Sequence, residues 1–201
     1  MTKEQMIDKL KNEMTINGIV NNRFNHSVSV AKKAVELAKI HKLDLNLDKV
    51  YCAGLLHDCT KLLDKNKQKE ILNQLGILEN DEIMKAPNVW HGFTGAWYAK
   101  KEYGINDLEI LSAIKYHVMG RAQMSDLEIV IFVADFVCDN RVGEVFEKAR
   151  LIALESLIEA MCYIIESQIA FVLENKGFLV SQTLETYKYY KENINATKNT
   201  N

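Results

Sequence analysis

The sequence predicts an all-α protein that folds as a single domain. It contains one proline and nine glycines in 201 residues, so long helices with few interruptions are expected. Apolar residues recur at helical spacing along most of the chain, and strand-like alternation is nearly absent. A composition that is 48% hydrophobic supplies a sizeable core. We therefore expect one helical bundle over residues 1–193, followed by a disordered tail at 194–201.

Capping and stop signals define the predicted helices of the first half. Thr2 and Gln5 form a capping-box pattern that opens the first helix, and Gly18 ends it after about Asn17. The next helix runs from about Asn22 to Lys42. The remaining predicted helices of this half are one that leads to His57 and Asp58, one over 64–76, a short piece at 79–85, and one that begins near Asn88.

The second half continues the helical pattern. Asn106 and Glu109 open a helix that ends at His117, and Ser125 with Glu128 forms a second capping box before an apolar segment to residue 138. Residues 143–176 form one long helix or two end to end. A final helix covers about 181–192.

The charge balance and the cysteines limit the possible functions. The net charge of −2 provides no basic field for nucleic acid or membrane. No apolar signal segment is present at the N-terminus. The four cysteines form no close-spaced pair, so we expect buried free thiols and a cytoplasmic protein. The apolar face of 144–175 either completes the core or forms a homodimer contact.

The stretch 51–61 carries the first candidate site. An apolar segment leads directly into adjacent His57 and Asp58, and Lys61 follows. If the helix continues through them, Lys61 shares their face, since it lies four and three residues further on. A cation there would meet an anion bound to a metal. The alternative is a polar helix end with a capping histidine.

Further histidines and one carboxylate extend this candidate. His26 lies on an apolar helical seam, with Arg23 one turn earlier. His91 stands beside small residues that favour close approach of another backbone or of a ligand, although tight helix packing is equally compatible. Asp135 falls within an apolar segment, where a carboxylate needs a partner such as a metal, an arginine or a helix cap.

Together these residues form a set of nitrogen and oxygen donors. Imidazole with carboxylate suits iron, manganese, cobalt or zinc, and no cysteine is placed to join a structural zinc site. Six donors exceed what one ion with an open position needs, so they suit two ions bridged by Asp58. The six are His26, His57, Asp58, His91, His117 and Asp135.

The ordered pattern His, His-Asp, Asp on a helical chain resembles the HD-domain metal-dependent phosphohydrolases. The two further histidines, His91 and His117, resemble the binuclear members. Local sequence over roughly residues 3–192 resembles the bacterial YqeK family of symmetrical diadenosine tetraphosphate hydrolases. The similar segments are Arg23–Ser27, Leu55–Lys61, Tyr116–Arg121, Met124–Ser125, Ile131–Asp135 and Asn140–Arg141. Cys59-Thr60, Val118 and Met119 depart from the family pattern, which leaves substrate fine-tuning open.

The resemblance implies a mechanism. His26, His57, Asp58 and Asp135 would hold one metal ion, while His91 and His117 would hold a second that shares Asp58. Iron is the first expectation, with manganese or cobalt as alternatives. A water between the ions would attack the tetraphosphate and release two ADP, with Asp135 able to orient it. Lys61, Arg121, Arg141 and Arg23 would contact phosphate oxygens.

Other functions are also compatible with the pattern. A second enzymatic interpretation is a different HD phosphohydrolase: a nucleotidase, a guanosine alarmone hydrolase or a cyclic-nucleotide phosphodiesterase. His91 and His117 argue against mononuclear nucleotidases, and the missing Gly-Tyr-Pro run argues against the cyclic-dinucleotide class. A non-enzymatic interpretation is an inactive nucleotide-binding module, although no proposed ligand is missing.

Overall fold

The protein is all-α, as predicted. The computed structural model describes residues 1–79 and 81–199, with side chains as far as residue 194. A short hairpin pairs β1 (Thr15–Ile16) with β2 (Ile19–Val20), and a 3-10 turn covers Ile83–Lys85. The helices of the described residues are α1 (Lys3–Glu13), α2 (Asn22–Ile40), α3 (Leu47–Leu56), α4 (Lys65–Gln74), α5 (Trp90–Glu102), α6 (Leu108–Tyr116), α7 (Asp126–Val137), α8 (Glu144–Glu155), α9 (Leu157–Glu174) and α10 (Ser181–Asn199).

Helix α7 lies at the centre of the bundle. Every residue from Leu127 to Ala134 is buried, which explains why this segment is apolar on all sides. Helices α2, α6, α8 and α9 pack against it, α3 packs against α2, and α5 packs against α6. This arrangement brings the ends of α3, α6 and α7 towards the same part of the core.

The helix starts follow from capping side chains. The two predicted capping boxes are present, one at Thr2 with Gln5 and one at Ser125 with Glu128. The start of α6 differs slightly from the prediction, because Asp107 is the capping residue. Its carboxylate accepts a hydrogen bond from the backbone N–H of Glu109 at 3.0 Å.

The predicted extension of the first helix to Asn17 is wrong. Helix α1 ends at Glu13, and the β1–β2 hairpin turns at Asn17 and Gly18. Both turn residues have positive φ angles, 52° and 78°. This is the geometry that two-residue hairpin turns require and that an Asn-Gly pair adopts readily.

The C-terminal part confirms one of the two predicted alternatives and corrects the end of the last helix. The segment predicted as one long helix or two is divided into α8 and α9 at Ser156, whose backbone is extended (φ −151°, ψ 117°). Ser156 then caps α9 by accepting a hydrogen bond from Glu159 N at 3.2 Å. Helix α10 continues to Asn199, past the predicted end near 192. The predicted disordered tail, 194–201, falls mainly outside the described residues. The structure describes only the backbone of 195–199 and leaves out 200–201.

Two further findings concern the chain as a whole. All four cysteines are buried and free, as expected. Within the part of the chain that the structure describes, no helix combines the length and the apolar character needed to cross a membrane.

Candidate active site

The structure brings the six predicted donors together at one place in the core. They form three overlapping groups in which the ligand atoms lie within 4.8 Å of one another. These groups are His26 with His57 and Asp58, His57 with His117 and Asp135, and Asp58 with His91 and His117. The helices supply them from their ends and interiors: α2 carries His26, α5 carries His91 and α7 carries Asp135.

His57 and Asp58 do not lie inside a helix, in contrast to the expectation. Helix α3 ends at Leu56, and His57, Asp58 and Lys61 follow in a turn. His57 is the C-cap of α3, and His117 is the equivalent residue of α6. The two histidines therefore occupy matching positions at the ends of neighbouring helices.

Backbone carbonyls fix the orientation of these two imidazoles. His57 Nδ1 lies 2.7 Å from Gly54 O, and His117 Nδ1 lies 2.7 Å from Ile114 O. Since a carbonyl only accepts, each Nδ1 carries the proton and each Nε2 keeps its lone pair. These lone pairs point towards the cluster. A histidine that binds a metal ion through Nε2 needs this tautomer.

Asp58 stands between two pairs of histidines. Its Oδ2 atom lies 3.6 Å from His57 Nε2 and 3.9 Å from His26 Nε2. Its Oδ1 atom lies 3.2 Å from His91 Nε2 and 3.8 Å from His117 Nε2. Each carboxylate oxygen thus faces a different pair, an arrangement suited to a bridging ligand. We call the side with His26, His57 and Asp135 the His26 half, and the side with His91 and His117 the His91 half.

Side chains, rather than carbonyls, surround His26. Its Nε2 lies 2.9 Å from Asp135 Oδ1, and its Nδ1 lies 3.3 Å from Asn140 Oδ1. Burial alone would lower the pKa of His26, but the Asp135 carboxylate raises it to about 9. Asp135 is less buried than the sequence suggested, since its side chain is 22% exposed, and its partner is Arg141 at 2.9 Å.

Two glycines explain how α5 delivers His91. A Cβ at Gly92 would lie 2.6 Å from the backbone oxygen of Lys115, near the end of α6. A Cβ at Gly95 would lie 3.4 Å from His57 O. The expected close approach is therefore of another backbone. It allows His91 Nε2 to come within 3.1 Å of His117 Nε2.

Three of the four predicted cationic residues border the cluster. Arg23 donates a hydrogen bond to Asp58 Oδ2 at 2.9 Å, and Arg141 donates one to Asp135 Oδ1. Lys61 Nζ lies 3.1 Å from His91 Nε2. Arg121 instead forms a two-pronged ion pair with the buried carboxylate of Glu128, at 2.8 and 2.7 Å. A phosphate contact for Arg121 stays a prediction, and this ion pair does not support it.

Burial and charge set the protonation of the cluster. Burial lowers the pKa of His57 to about 4, and it also lowers the pKa of His91 and His117. Burial would raise the pKa of Asp58, but the charges of His57, His91 and Lys61 hold it below its usual range. His57, His91 and His117 are thus neutral imidazoles beside an ionised carboxylate, as metal binding requires, whereas His26 would have to lose a proton to bind a metal ion.

The donor set fits divalent metal ions. His57 Nε2 and Asp58 Oδ1 are buried without a hydrogen-bond partner among the described residues. Leaving such atoms unsatisfied costs about 1–3 kcal/mol each, and a cation would satisfy both. Imidazole nitrogens with carboxylate oxygens, and no sulfur, suit iron, manganese or cobalt.

Some residues at the site were not found from the sequence. Asn140 contacts His26, and buried Thr60 lies 2.8 Å from Thr94, hydroxyl to hydroxyl, linking the His57 turn to α5. A polar side chain after a helix, or a threonine within one, gives no signal of such a role. A cavity of about 240 Å³ opens beside the His26 half and is lined by Asn21, Asn22, Arg23, His26, Asn140 and Arg141.

Comparison with known proteins identifies the class. Residues 23–138 match the HD domain family, more than half of the chain, and the chain belongs to this family. A crystal structure from Clostridium acetobutylicum, described as a predicted HD superfamily hydrolase involved in NAD metabolism, superposes with a TM-score of 0.87. It is 33% identical, and the match covers 96% of this chain and 98% of that one.

Curated relatives narrow the class to the YqeK type, as the local resemblance indicated. A protein from Staphylococcus aureus is 36% identical over 84% of this chain and 86% of its own length. One from Halalkalibacterium halodurans is 32% identical over 84% of this chain and 89% of its own. One from Bacillus subtilis is 29% identical over 94% and 97%. All three carry the name symmetrical bis(5'-nucleosyl)-tetraphosphatase.

Proposed function

We propose that the protein hydrolyses diadenosine tetraphosphate symmetrically, with one water, to two molecules of ADP. The observation that carries the proposal is the position of the Asp58 carboxylate. Its two oxygens face separate pairs of histidines, and Arg23 lies beside them. The names of the relatives support the same reaction. The bond broken is the central phosphoanhydride, and the water oxygen joins one of the two phosphorus atoms that it linked.

We assign two metal ions to the cluster. The first would be held by His26, His57, Asp58 and Asp135, and the second by His91, His117 and the other oxygen of Asp58. Bound ions of this kind activate water near neutral pH and neutralise phosphate charge. Iron is our first choice, with manganese or cobalt as alternatives, because the donor set suits all three.

The cationic side chains would bind the phosphate chain. Arg23 and Arg141 line the cavity beside the His26 half, and Lys61 stands at the His91 half. Each can exchange its present partner for a phosphate oxygen through charge-assisted hydrogen bonds. As charge moves onto the departing ADP, these contacts would strengthen. Asp135 reaches solvent through its 22% exposed side chain and would orient the attacking water.

The test combines metal content with product analysis. The protein is purified without chelator, its metals are counted by elemental analysis, and diadenosine tetraphosphate is supplied as substrate. About two transition-metal ions per chain, with ADP as sole product, is the expected result. AMP with ATP would contradict the symmetrical cleavage. Two metals without turnover would direct the search to other nucleotides, such as guanosine alarmones, and no metal uptake would contradict all six ligands.

Location and assembly are secondary proposals. Four free, buried thiols are typical of a reducing compartment, so we propose that the protein acts in the cytoplasm. The possible homodimer stays a prediction, which light scattering at several protein concentrations would test. Nucleic acid is not an expected partner, given the net charge of −2.

A further inference from the structure

We infer that Arg150 of α8 is a positioning residue for the His26 half of the site. Among the described residues, its hydrogen bonds reach backbone oxygens and no side chain of a proposed metal ligand. Instead it holds the turn 138–141, which carries Asn140 and Arg141 to that half. The inference rests on the two-metal site proposed above.

Arg150 binds three backbone oxygens at once. Its Nε donates to Val137 O at 3.0 Å. Its Nη2 donates to Cys138 O at 2.9 Å and to Arg141 O at 2.5 Å. The first two oxygens stand at the end of α7, where helix carbonyls lack intrahelical partners. The third belongs to the far side of the turn. The guanidinium of Arg150 therefore joins the C-terminal end of α7 to Arg141, the last residue of the turn.

The turn that Arg150 holds presents two side chains to the site. Asn140 Oδ1 lies 3.3 Å from His26 Nδ1, and Arg141 donates a hydrogen bond to Asp135 Oδ1 at 2.9 Å. Arg141 N also donates to Cys138 O at 3.1 Å, which closes the turn. A shift of this turn would change the surroundings of His26 and Asp135 together.

Among the described residues, the hydrogen bonds of Arg150 reach no part of the His91 half. His117 is oriented by the carbonyl of Ile114, within its own helix end. The match to the HD domain ends at residue 138, so Asn140, Arg141 and Arg150 all lie beyond it. Within the chain after the matched region, Arg150 thus supports the turn beside the His26 half. Loss of Arg150 should weaken one half of the site and spare the other.

The experiment measures metal affinity separately in each half. Metal-free protein is titrated with Mn²⁺ by calorimetry in two backgrounds, His91→Ala, which leaves the His26 half, and His26→Ala, which leaves the His91 half. Arg150→Gln is added to each. We expect about tenfold weaker binding in the His91→Ala background, the size of effect typical of groups that orient metal ligands. In the His26→Ala background the affinity should change less than about twofold.

Two controls separate positioning from general stability. Lys148→Gln removes a cation from an exposed position of the same helix and should leave both affinities unchanged. Arg150→Lys keeps the charge but carries its donors on one nitrogen, which cannot span the oxygens that Nε and Nη2 of Arg150 reach. It should therefore show the same half-specific loss if Arg150→Gln unfolds.

The outcomes are distinct. Equal weakening in both backgrounds, or none, overturns the positioning role, as does failure of both backgrounds to bind Mn²⁺. A half-specific loss with no hydrolysis of diadenosine tetraphosphate by the wild-type protein would support the role of Arg150 and reject the proposed substrate.

Discussion

The two halves of the site are built in different ways. In the His26 half, His26 and Asp135 contact two side chains of a turn, Asn140 and Arg141, beside a cavity of about 240 Å³, whereas His57 is oriented by a backbone carbonyl. The His91 half is held by close backbone packing, and its two histidines are buried, while Asp135 of the His26 half has a side chain that is 22% exposed. Asp135 and the turn beside it can therefore adjust to a ligand, whereas His57 and the His91 half are fixed by the fold.

This difference suggests a division of work. Substrate phosphates would enter from the cavity side and displace Arg23 and Arg141 from their carboxylate partners. The His91 half would serve as a rigid wall against which the phosphate chain is placed. Variants that act on one half, on both, or on their supports can test this division.

Loss of the shared ligand should have the largest effect. Asp58→Ala removes the carboxylate that faces both halves, so we expect a loss of activity on the order of a thousandfold or more. Elemental analysis should show lower metal content in both halves. Turnover near that of the wild-type protein would rule out the bridging role.

Separating α5 from α6 should damage the His91 half. In Gly92→Ala the new Cβ meets Lys115 O at 2.6 Å, and backbone cannot yield as a side chain can. We expect about 2 kcal/mol lower free energy of unfolding in urea, even though alanine favours the helix. Metal binding should weaken chiefly in the His91 half.

Gly95→Ala is the matched control for this prediction. Its Cβ would meet the side chain of Ile114 at 3.3 Å, which can move slightly. We expect a smaller change in stability and nearly normal metal binding. Equal damage by both substitutions would contradict the importance of the Gly92 backbone contact.

The ion pair between Arg121 and Glu128 should make the stability of the protein depend on pH. Burial would raise the pKa of Glu128, but Arg121, Ser112 and the backbone N–H of Ser125 hold it below the ordinary 4.5. Because the folded pKa is the lower one, the stabilisation is present above about pH 4.5 and is lost as the pH falls through the folded pKa.

Glu128→Gln tests this dependence. At pH 7 we expect it to be less stable than the wild-type protein by about 2 kcal/mol, and the difference should shrink at acidic pH. Urea unfolding at several pH values measures both. Arg121→Ala should likewise lower the free energy of unfolding, and it should leave KM nearly unchanged. A large rise in KM with normal stability would instead support the predicted phosphate contact.

The smallest effect is expected at the contact between the His57 turn and α5. Thr60→Val removes the hydroxyl that lies 2.8 Å from Thr94 and leaves a buried partner unsatisfied, which costs about 1 kcal/mol. The double variant with Thr94→Val should lose less than the sum of the two single variants. Thermal unfolding of the four proteins completes the cycle, and strict additivity would show that the two hydroxyls act independently.

Chemistry-bearing residues were predictable from the sequence where their types are rare. Four histidines and two aspartates in apolar surroundings needed a shared partner, and the structure does bring them together. The Asn17-Gly18 hairpin also had a signal, an Asn-Gly pair, but the surrounding helical periodicity outweighed it. The break at Ser156 was one of the two alternatives left open, and Ser156 with Glu159 matches a capping pattern.

Other features had no local signal. Arg150 contacts backbone oxygens of residues 9 to 13 positions away, and any residue type would present the same oxygens. Asn140 acts through the position of a turn, and the ion pair of Arg121 had no signal because its acidic partner, Glu128, lies on the next helix. Such contacts depend on the packing of α7 with α8, which single-sequence patterns do not encode.

The carbonyl of Ile114 that orients His117 affects which substitutions the proteins of this family can accumulate during evolution. Any amino acid at position 114 still offers the same oxygen, so point mutations there can alter packing without deleting the group that sets the ring. Asn140, by contrast, is lost with a single codon change. Across lineages, imperfect sites should therefore accumulate first on the His26 side, and sequences that have lost Asn140 should retain His91 and His117.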